Sequence, residues 1–223
     1  MASGEQGATG TDPAQLVDRA SLAGVAVGGA TAQTLAIYLD LVRRWNARMN
    51  LTALDGPDQA IDRLIVEPLA AARHIPLGAS VIDIGSGNGS PAIPLRIARP
   101  DLVAVRLVES RMRKGVFLRE VIRELRLDRV VVENDRYEAL LEDPALHDAH
   151  DALTLRGVAW DVAVLSRLQR FLRPGGLICL FASGRADGQG VDDLGLQPPL
   201  VWHASAPLGA TLGSRLIMVR VDR

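Results

Sequence analysis

The stretch Val81–Gly89, which reads VIDIGSGNG, indicates the fold of this 223-residue chain. Its first four residues are mostly apolar, as in a short buried strand, and three glycines follow at alternate positions. Glycine lets the backbone turn sharply and leaves space for a ligand, because no Cβ stands in the way. A helical pattern begins at Ala92. The stretch therefore predicts a strand, a tight turn and a helix N-terminus that offers free N–H groups.

Strands and helices alternate along the chain after this turn. We predict four further strands with three helices among them: strands over 102–108, 129–133, 151–155 and 177–181, and helices over 92–99, 112–127 and 158–172. Two β-like stretches near the end, 200–204 and 216–221, favour a hairpin. This order predicts an α/β, Rossmann-like fold, with a mostly parallel seven-stranded sheet and a C-terminal antiparallel hairpin. Ligands bind such sheets at the carboxyl ends of the strands.

The sequence before the turn is helical in pattern. Residues 1–12 are polar and rich in Gly, Ala and Thr, and we expect a disordered tail there. Residues 13–77 form a predicted N-terminal helical cap, with helices over 13–23, 31–49 and 58–74. Pro68 should kink or divide the last helix, because proline has no N–H to donate. Residues 78–223 then form the domain that contains the sheet.

Composition excludes several classes of protein. The formal net charge is −1, and no apolar run approaches the ~20 residues that span a bilayer. The N-terminus lacks the charged and then apolar layout of a secretion signal. Cys179, the single cysteine, cannot form an internal disulfide, and the four histidines show no metal-ligand spacing. We expect a cytoplasmic monomer that has no metal site and no membrane or DNA partner.

The spacing of the glycines points to one cofactor. Dinucleotide enzymes carry G-x-G-x-x-G, whereas this turn reads G-x-G-x-G and has Asp83 two residues before its first glycine. A carboxylate there can take the ammonium of a methionine moiety, directly or through water, but would repel a pyrophosphate. We therefore predict S-adenosyl-L-methionine, held by Asp83, Gly85, Ser86, Gly87 and Gly89. The alternative is a purely structural turn in which Asp83 caps the following helix.

Two further elements suit the adenosine part of that cofactor. Glu109 ends the second predicted strand, about 20 residues past the turn, where Rossmann-type sites accept a ribose diol. Its two oxygens could accept from two vicinal hydroxyls; the alternative is a solvated loop acid. The loop after the third strand contains Tyr137 and Glu138, whose backbone groups could read the edge of adenine. Taken alone, it is only a polar loop.

Basic residues cluster between Arg106 and Arg129, where six further cations face only four acids. A guanidinium matches the geometry of phosphate, so this cluster predicts phosphate contacts for Arg113, Lys114 and Arg119. The alternative is an ordinary solvated helix face.

These residues together resemble the bacterial small-subunit ribosomal RNA guanine-N7 methyltransferases, the glucose-inhibited division protein B family. The matching stretches follow the family's order over most of the chain after residue 35: W-N-x-x-M-N-L-T from Trp45, D-I-G-S-G-x-G-x-P-x-I-P-L from Asp83, E-S-x-x-R-K-x-x-F-L-R from Glu109, R-x-E from Arg136 and R-x-x-A from Arg156.

The resemblance implies a class I methyltransferase fold and a role for several residues. Gly85 and Ser90 would contact the cofactor at the turn, Tyr137 and Glu138 would contact adenine, and Arg156 would be a site arginine. Trp45, Asn50 and Thr52 would belong to the part of the cap that borders the substrate cleft, with Asn50 as a substrate contact. Trp45 could stack on a base or, as its apolar helix face favours, pack in the core.

The chain departs from the family pattern at three places. An R-H-x-x-D-S stretch is replaced by Arg63–Pro68, RLIVEP; S-R-A is replaced by Leu155-Arg156-Gly157; and Lys-Gly is replaced by Ser183-Gly184. The cofactor half is well kept, while the positions facing the substrate have changed. Methylation of another substrate, such as a small metabolite, and a non-catalytic cofactor-binding module that associates with RNA are therefore the alternatives to methylation of ribosomal RNA.

Arg156 is the predicted catalytic residue. Guanine N7 already carries a lone pair, so catalysis requires alignment and favourable electrostatics more than a base. Arg156 could donate to the N7/O6 edge of guanine or to the carboxylate of the cofactor. The alternative is a structural ion pair with Asp151 or Glu138, worth roughly 0–1 kcal/mol if exposed. On the catalytic hypothesis we expect Arg156→Ala to keep a near-native melting temperature and to lose about a hundredfold in rate.

Overall fold

The structure is a computed structural model that describes residues 10–53, 56–182, 195–209 and 213–223. Its seven strands form one sheet in the order β3-β2-β1-β4-β5-β7-β6. They are β1 Ser80–Ile84, β2 Ala104–Val108, β3 Val130–Glu133, β4 His150–Arg156, β5 Leu172–Ala182, β6 Leu200–Pro207 and β7 Arg215–Val221. The first five are parallel, and β7 is antiparallel to both β5 and β6. The predicted fold class and C-terminal hairpin are confirmed.

Helices cover both faces of this sheet. They are α1 Pro13–Leu22, α2 Gly29–Met49, α3 Pro57–Ile61, α4 Glu67–Ala71, α5 Ala92–Ala98, α6 Met112–Glu124, α7 Tyr137–Leu140 and α8 Val162–Leu168. Successive residues of a strand point to opposite faces. Val81 accordingly packs in one core with α1, α2, α5 and α6, whereas Ile82 packs in another core with α8. The cap helices thus share a core with the helices that follow the glycine-rich turn.

The third cap helix changes its hydrogen bonding in the middle. A π-helical turn, Asp62–Val66, joins α3 to α4, and a 3₁₀ turn, Ala72–His74, follows α4. The N–H of Glu67 donates to the carbonyl of Asp62, five residues back. Pro68 has no N–H. It therefore cannot donate a hydrogen bond to the carbonyl of Leu64, as in an α-helix, or to that of Arg63, as in a π-helix. The predicted disturbance at Pro68 is therefore a π-helical turn that redirects two carbonyls.

Other boundaries differ from the sequence prediction in ways that affect the site. Arg156 is the last residue of β4 and not a residue beyond it. The predicted helix over 158–172 starts later, as α8, and continues as a 3₁₀ turn, Gln169–Phe171. The side chain of Asp161 accepts from the N–H of Val164 at 2.7 Å and fixes this later start.

The expected tail ends earlier than residue 12. Thr11 is buried, and its N–H and hydroxyl donate to Asp40 at 2.9 and 2.6 Å, so residues 10–12 are held in place. Residues 1–9 lie outside the described residues. No helix in the described part of the chain is long and apolar enough to cross a membrane.

Candidate active site

The glycine-rich turn between β1 and α5 adopts a backbone that other residues resist. Gly85, Gly87 and Gly89 have φ values of +75°, +50° and +90°, in the left-handed region. A Cβ on Gly85 would lie 2.3 Å from Cγ2 of Val158, and one on Gly89 would lie 2.5 Å from Cδ1 of Ile93. The glycines therefore allow both the turn itself and the close approach of the neighbouring elements.

Asp83 lies beneath this turn. Its side chain is buried, and its Oδ1 accepts from the hydroxyl of Thr154 on β4 at 2.5 Å. Its Oδ2 is buried and has no hydrogen-bond partner in the described part of the chain. Burial raises the pKa of Asp83 to about 6, although the hydroxyl of Thr154 favours the charged form. An unsatisfied buried oxygen of this kind can accept a hydrogen bond from a cationic ligand or from water.

Glu109 ties the turn to the next strand. Its Oε2 accepts from the N–H of Gly87 at 2.9 Å, and its Oε1 accepts from the N–H of Arg111 at 2.7 Å. The residue is buried and is not among the residues that line the two cavities described below. Each carboxylate oxygen has more than one lone pair, so both can still accept from a ligand hydroxyl.

Two cavities meet at Gly85. The first cavity has a volume of about 230 Å³ and lies between the turn and the cap. Its lining is Leu51, Thr52, Arg63, Leu64, Gly85, Ser86, Gly87, Asn88, Ser90, Lys114, Arg156 and Gly157. The second cavity, of about 330 Å³, is lined by Ile84, Gly85, Val108, Ser110, Asp135, Arg136, Tyr137, Glu138 and Val158. The structure thus brings Gly85, Ser86 and Gly87 together with Arg156 around the first cavity. Gly85 also lines the second cavity with Tyr137 and Glu138, whereas Asp83 and Gly89 line neither.

Arg156 is held by one redirected carbonyl of the cap directly and by the other through Ser90. Its Nη1 donates to the carbonyl of Arg63 and lies 3.4 Å from the hydroxyl of Ser90, which in turn donates to the carbonyl of Leu64 at 3.1 Å. Its Nη2 forms an ion pair with Oε2 of Glu67. The guanidinium also lies 5.3 Å from the ring centroid of Phe181. A guanidinium has five N–H donors, so these contacts leave donors for a ligand in the first cavity.

The partner of Arg156 corrects the sequence-based alternative. Asp151 is occupied by Arg173 at 2.6 Å, and Glu138 lines the second cavity, so neither pairs with Arg156. The Arg156 and Glu67 side chains are only 13% and 3% exposed. Burial lowers the pKa of Arg156 and the carboxylate of Glu67 opposes that change, so the guanidinium stays charged. The buried pair therefore replaces the expectation of a near-native melting temperature for Arg156→Ala with the prediction of a lower one, since the variant leaves Glu67 buried without its partner.

Sequence reasoning missed two residues that shape the site. Glu67 is a buried acid among apolar neighbours on its helix, a pattern that itself indicates a buried cationic partner. Tyr38 in α2 is fully buried, yet its hydroxyl donates to the carbonyl of Asn88 at 2.8 Å. Tyr38 thereby fastens the glycine-rich turn to the cap.

The candidate RNA contacts occupy different places. Lys114 lines the first cavity, Arg113 is exposed beside Trp45, and Arg119 donates to Asn134 at 3.1 Å. Asn50 is exposed at the C-cap of α2 and is not among the residues that line the first cavity, whereas Thr52 is. Trp45 packs edge-to-face on Phe117, with 5.7 Å between ring centroids.

Ion pairing divides α6 into two halves. Arg123, near its end, pairs with Glu120 and Glu124. Arg113 and Lys114, at its start, form no salt bridge with any carboxylate that the structure describes. The end of the helix thus fits a solvated face, while its start carries positive charge that is not neutralised. No cluster of metal ligands occurs within the described ranges.

Comparison with known proteins identifies relatives of this chain. Residues 31–189 match the family described as GidB, rRNA small subunit methyltransferase G. The ribosomal RNA small subunit methyltransferase G of Xanthomonas axonopodis is 44% identical over 66% of this chain, and the match spans 66% of that protein, about two thirds of its length. The protein of that name from Sorangium cellulosum is 36% identical over 79% of this chain and 74% of its own length.

Solved structures share the fold. An O-methyltransferase from Bacillus cereus in complex with SAH superposes with a TM-score of 0.59 at 20% identity, covering 83% of this chain and 91% of that chain. An SAM-dependent methyltransferase from Aquifex aeolicus gives a TM-score of 0.57 at 15% identity, covering 77% and 97%.

The buried ion pair yields a prediction about stability. Arg156→Gln and Glu67→Gln should each lower the free energy of unfolding by about 3–5 kcal/mol, because each leaves one charge buried alone. The double variant should lose far less than the sum, because neither charge then remains. Urea unfolding of the four proteins measures this coupling. Arg173→Gln, which breaks an exposed pair with Asp151, is the matched control and should cost under about 1 kcal/mol. Additive losses at Arg156 and Glu67 would contradict the pairing.

Proposed function

The chain belongs to the GidB family of rRNA small subunit methyltransferases G, and we propose that it transfers a methyl group from S-adenosyl-L-methionine to N7 of a guanosine in small-subunit ribosomal RNA. One observation carries the proposal: two cavities meet at Gly85, one against the loop after β3 and the other against Arg156 and the cap. A cofactor with an adenosine part and a methionine part can therefore extend across both cavities and meet an acceptor near Gly85. The proposal also includes that the protein is a cytoplasmic monomer and binds neither a membrane nor DNA.

The residues fit the cofactor. The turn is a cradle that a Cβ at Gly85 or Gly89 would disturb, and Asp83 offers a buried, unpartnered oxygen for the ammonium of the methionine moiety. Glu109 would accept from the ribose hydroxyls, and the second cavity would hold adenine between Tyr137, Glu138 and the end of β2. When bound, S-adenosyl-L-methionine supplies an electrophilic methyl group on its sulfonium.

The protein's own contribution is alignment. N7 of guanine needs no base, so the residues of the first cavity have to hold the purine in line and exclude other orientations. Arg156 would donate to O6 of the guanine, which leaves the N7 lone pair open, or to the carboxylate of the cofactor. In either role it works from a fixed position, because Glu67, Ser90 and the carbonyl of Arg63 hold its guanidinium.

The changed stretch Arg63–Pro68 does not remove this arrangement. It supplies the Arg63 and Leu64 carbonyls and the Glu67 carboxylate that surround Arg156 and Ser90. The departure from the family pattern therefore leaves the site arginine in place, and membership of the family favours ribosomal RNA over an unrelated small metabolite. Ser183-Gly184, the other changed pair, lies outside the described residues.

The buried carboxylate of Asp83 makes cofactor binding pH-dependent. The pKa of Asp83 is about 6, and an ammonium ligand favours its charged form. Affinity for S-adenosyl-L-methionine should therefore be full above about pH 7 and fall as the pH drops through 6. Calorimetry from about pH 5 to pH 8 measures it, with NAD as a ligand that should not bind. Asp83→Asn should bind weakly at every pH; a variant that keeps the wild-type profile would remove Asp83 from this role.

The proposed substrate can be tested directly with purified protein. With methyl-labelled cofactor, label should enter small-subunit RNA or subunits and not large-subunit RNA, and should release as 7-methylguanine. The Arg156→Gln/Glu67→Gln double variant should fold and lose about a hundredfold in kcat/KM, since alignment contributes several kcal/mol to the transition state. A loss confined to KM for the cofactor would assign Arg156 to its carboxylate. Equal labelling of both RNAs, or none, would contradict the proposed substrate.

The start of α6 should bind RNA phosphates. Replacing Arg113, Lys114 and Arg119 with Ala should weaken RNA binding and reduce the slope of log K against log salt by about 2–3, because each phosphate contact contributes about 0.7–0.9. The matched control replaces three exposed arginines away from the start of α6, Arg123, Arg170 and Arg173, and so changes the net charge equally. Filter binding at several salt concentrations distinguishes the two. Equal slopes in both triple variants would contradict the phosphate contacts and would support the alternative, that Arg113, Lys114 and Arg119 belong to a solvated helix face.

A further inference from the structure

A groove outside the two cavities lies between the end of α2 and the start of α6. Its volume is about 270 Å³, and its lining is Trp45, Arg48, Met49, Arg113 and Val116. Val116 is 46% exposed, although it is a large apolar residue on a helix. The Trp45 ring packs edge-to-face with Phe117, and the residue is only partly buried. The groove therefore has an aromatic and aliphatic floor that is open to solvent.

The groove adjoins the first cavity. Its Met49 is followed two and three residues later by Leu51 and Thr52, which line that cavity. Its Arg113 is followed directly by Lys114, which lines the cavity from the α6 side. The end of α2 and the start of α6 thus contribute residues to the linings of both spaces.

The charges at the groove suit a polyanion. Arg48 and Arg113 lie on its lining, both are exposed, and neither forms a salt bridge with a carboxylate in the described part of the chain. No acidic residue lines it. Single-stranded nucleic acid joins a flat apolar face to a phosphate in every unit, and proteins bind it with aromatic rings flanked by cations. An apolar protein segment has no negative charge to pair with the two guanidinium groups of the groove.

We propose that this groove binds an unstacked base of RNA, a neighbour of the nucleotide that enters the first cavity. The base would lie against Trp45 and Met49, and Arg48 and Arg113 would contact the phosphates on either side. The inference rests on the proposed function, because it assigns a second nucleotide subsite to the same RNA substrate.

A stacked base can be detected with a fluorescent analogue. Single-stranded RNA that contains a guanosine next to 2-aminopurine should lose 2-aminopurine fluorescence on binding the wild-type protein, because a stacked ring quenches it. Trp45→Leu should abolish the quenching and weaken binding about tenfold, the scale of one stacked base. Trp202→Leu is the matched control, since Trp202 is 41% exposed on β6. It should leave both readouts unchanged.

A second pair of variants keeps the test decisive if Trp45→Leu fails to fold. Val116→Gln places a neutral polar group in the groove and should weaken RNA binding and quenching, while Val103→Gln, at a site that is 50% exposed, should not. Wild-type quenching and affinity in both groove variants would overturn the proposal. If Val116→Gln instead changes only a concentration-dependent sedimentation coefficient, the groove receives a second copy of the chain.

The outcome also separates this proposal from the function on which it rests. Wild-type affinity and quenching in Trp45→Leu and Val116→Gln, together with methyl transfer to RNA at the wild-type rate, would overturn the groove assignment alone. A wild-type protein that binds S-adenosyl-L-methionine but neither binds nor methylates RNA would overturn both.

Discussion

The buried pair of Arg156 and Glu67 is the constraint on which the site depends. Arg156 ends β4 at the carboxyl edge of the sheet, and Glu67 lies in the cap, so the pair fastens two parts of the chain that are 89 residues apart. Neither charge is tolerated alone in so buried a place. The π-helical turn and Pro68 add a backbone carbonyl to the same guanidinium. The buried ion pair thus fixes the position of the cap against the sheet, and the first cavity lies where the two meet.

On the cofactor side of the site, the buried charged groups are acidic. Asp83 and Glu109 are buried acids beneath and beside the glycine-rich turn, and backbone N–H groups and a threonine hydroxyl satisfy most of their oxygens. Tyr38 then joins the turn to the cap. The turn is therefore held from the sheet and from the cap at once, which fixes the point where the two cavities meet. The positive start of α6 borders this point and continues into the groove, so RNA and cofactor would approach from different sides.

Local signals predicted the sheet and the turn, because an apolar run followed by alternate glycines has few other solutions. The sequence also predicted adenine contacts for Tyr137 and Glu138, and in the structure these residues line the second cavity together with Gly85. It could not find Glu67 as the partner of Arg156, since that contact depends on how the cap packs and not on nearby sequence. The sequence predicted that Pro68 would disturb a helix. It could not predict that the carbonyls left free by Pro68 accept from Ser90 and Arg156, because these residues are distant in sequence. Thr11 looked like tail for a similar reason, as its partner Asp40 lies in α2.

The central claim is that this arrangement methylates N7 of one guanosine in small-subunit ribosomal RNA. Mass spectrometry of nuclease fragments of that RNA, from cells with and without the protein, tests it most directly. The account predicts that one fragment loses a single 7-methylguanosine when the protein is absent. The modification should return with the wild-type chain and not with the Arg156→Gln/Glu67→Gln double variant. An unchanged set of methylated fragments would contradict the claim.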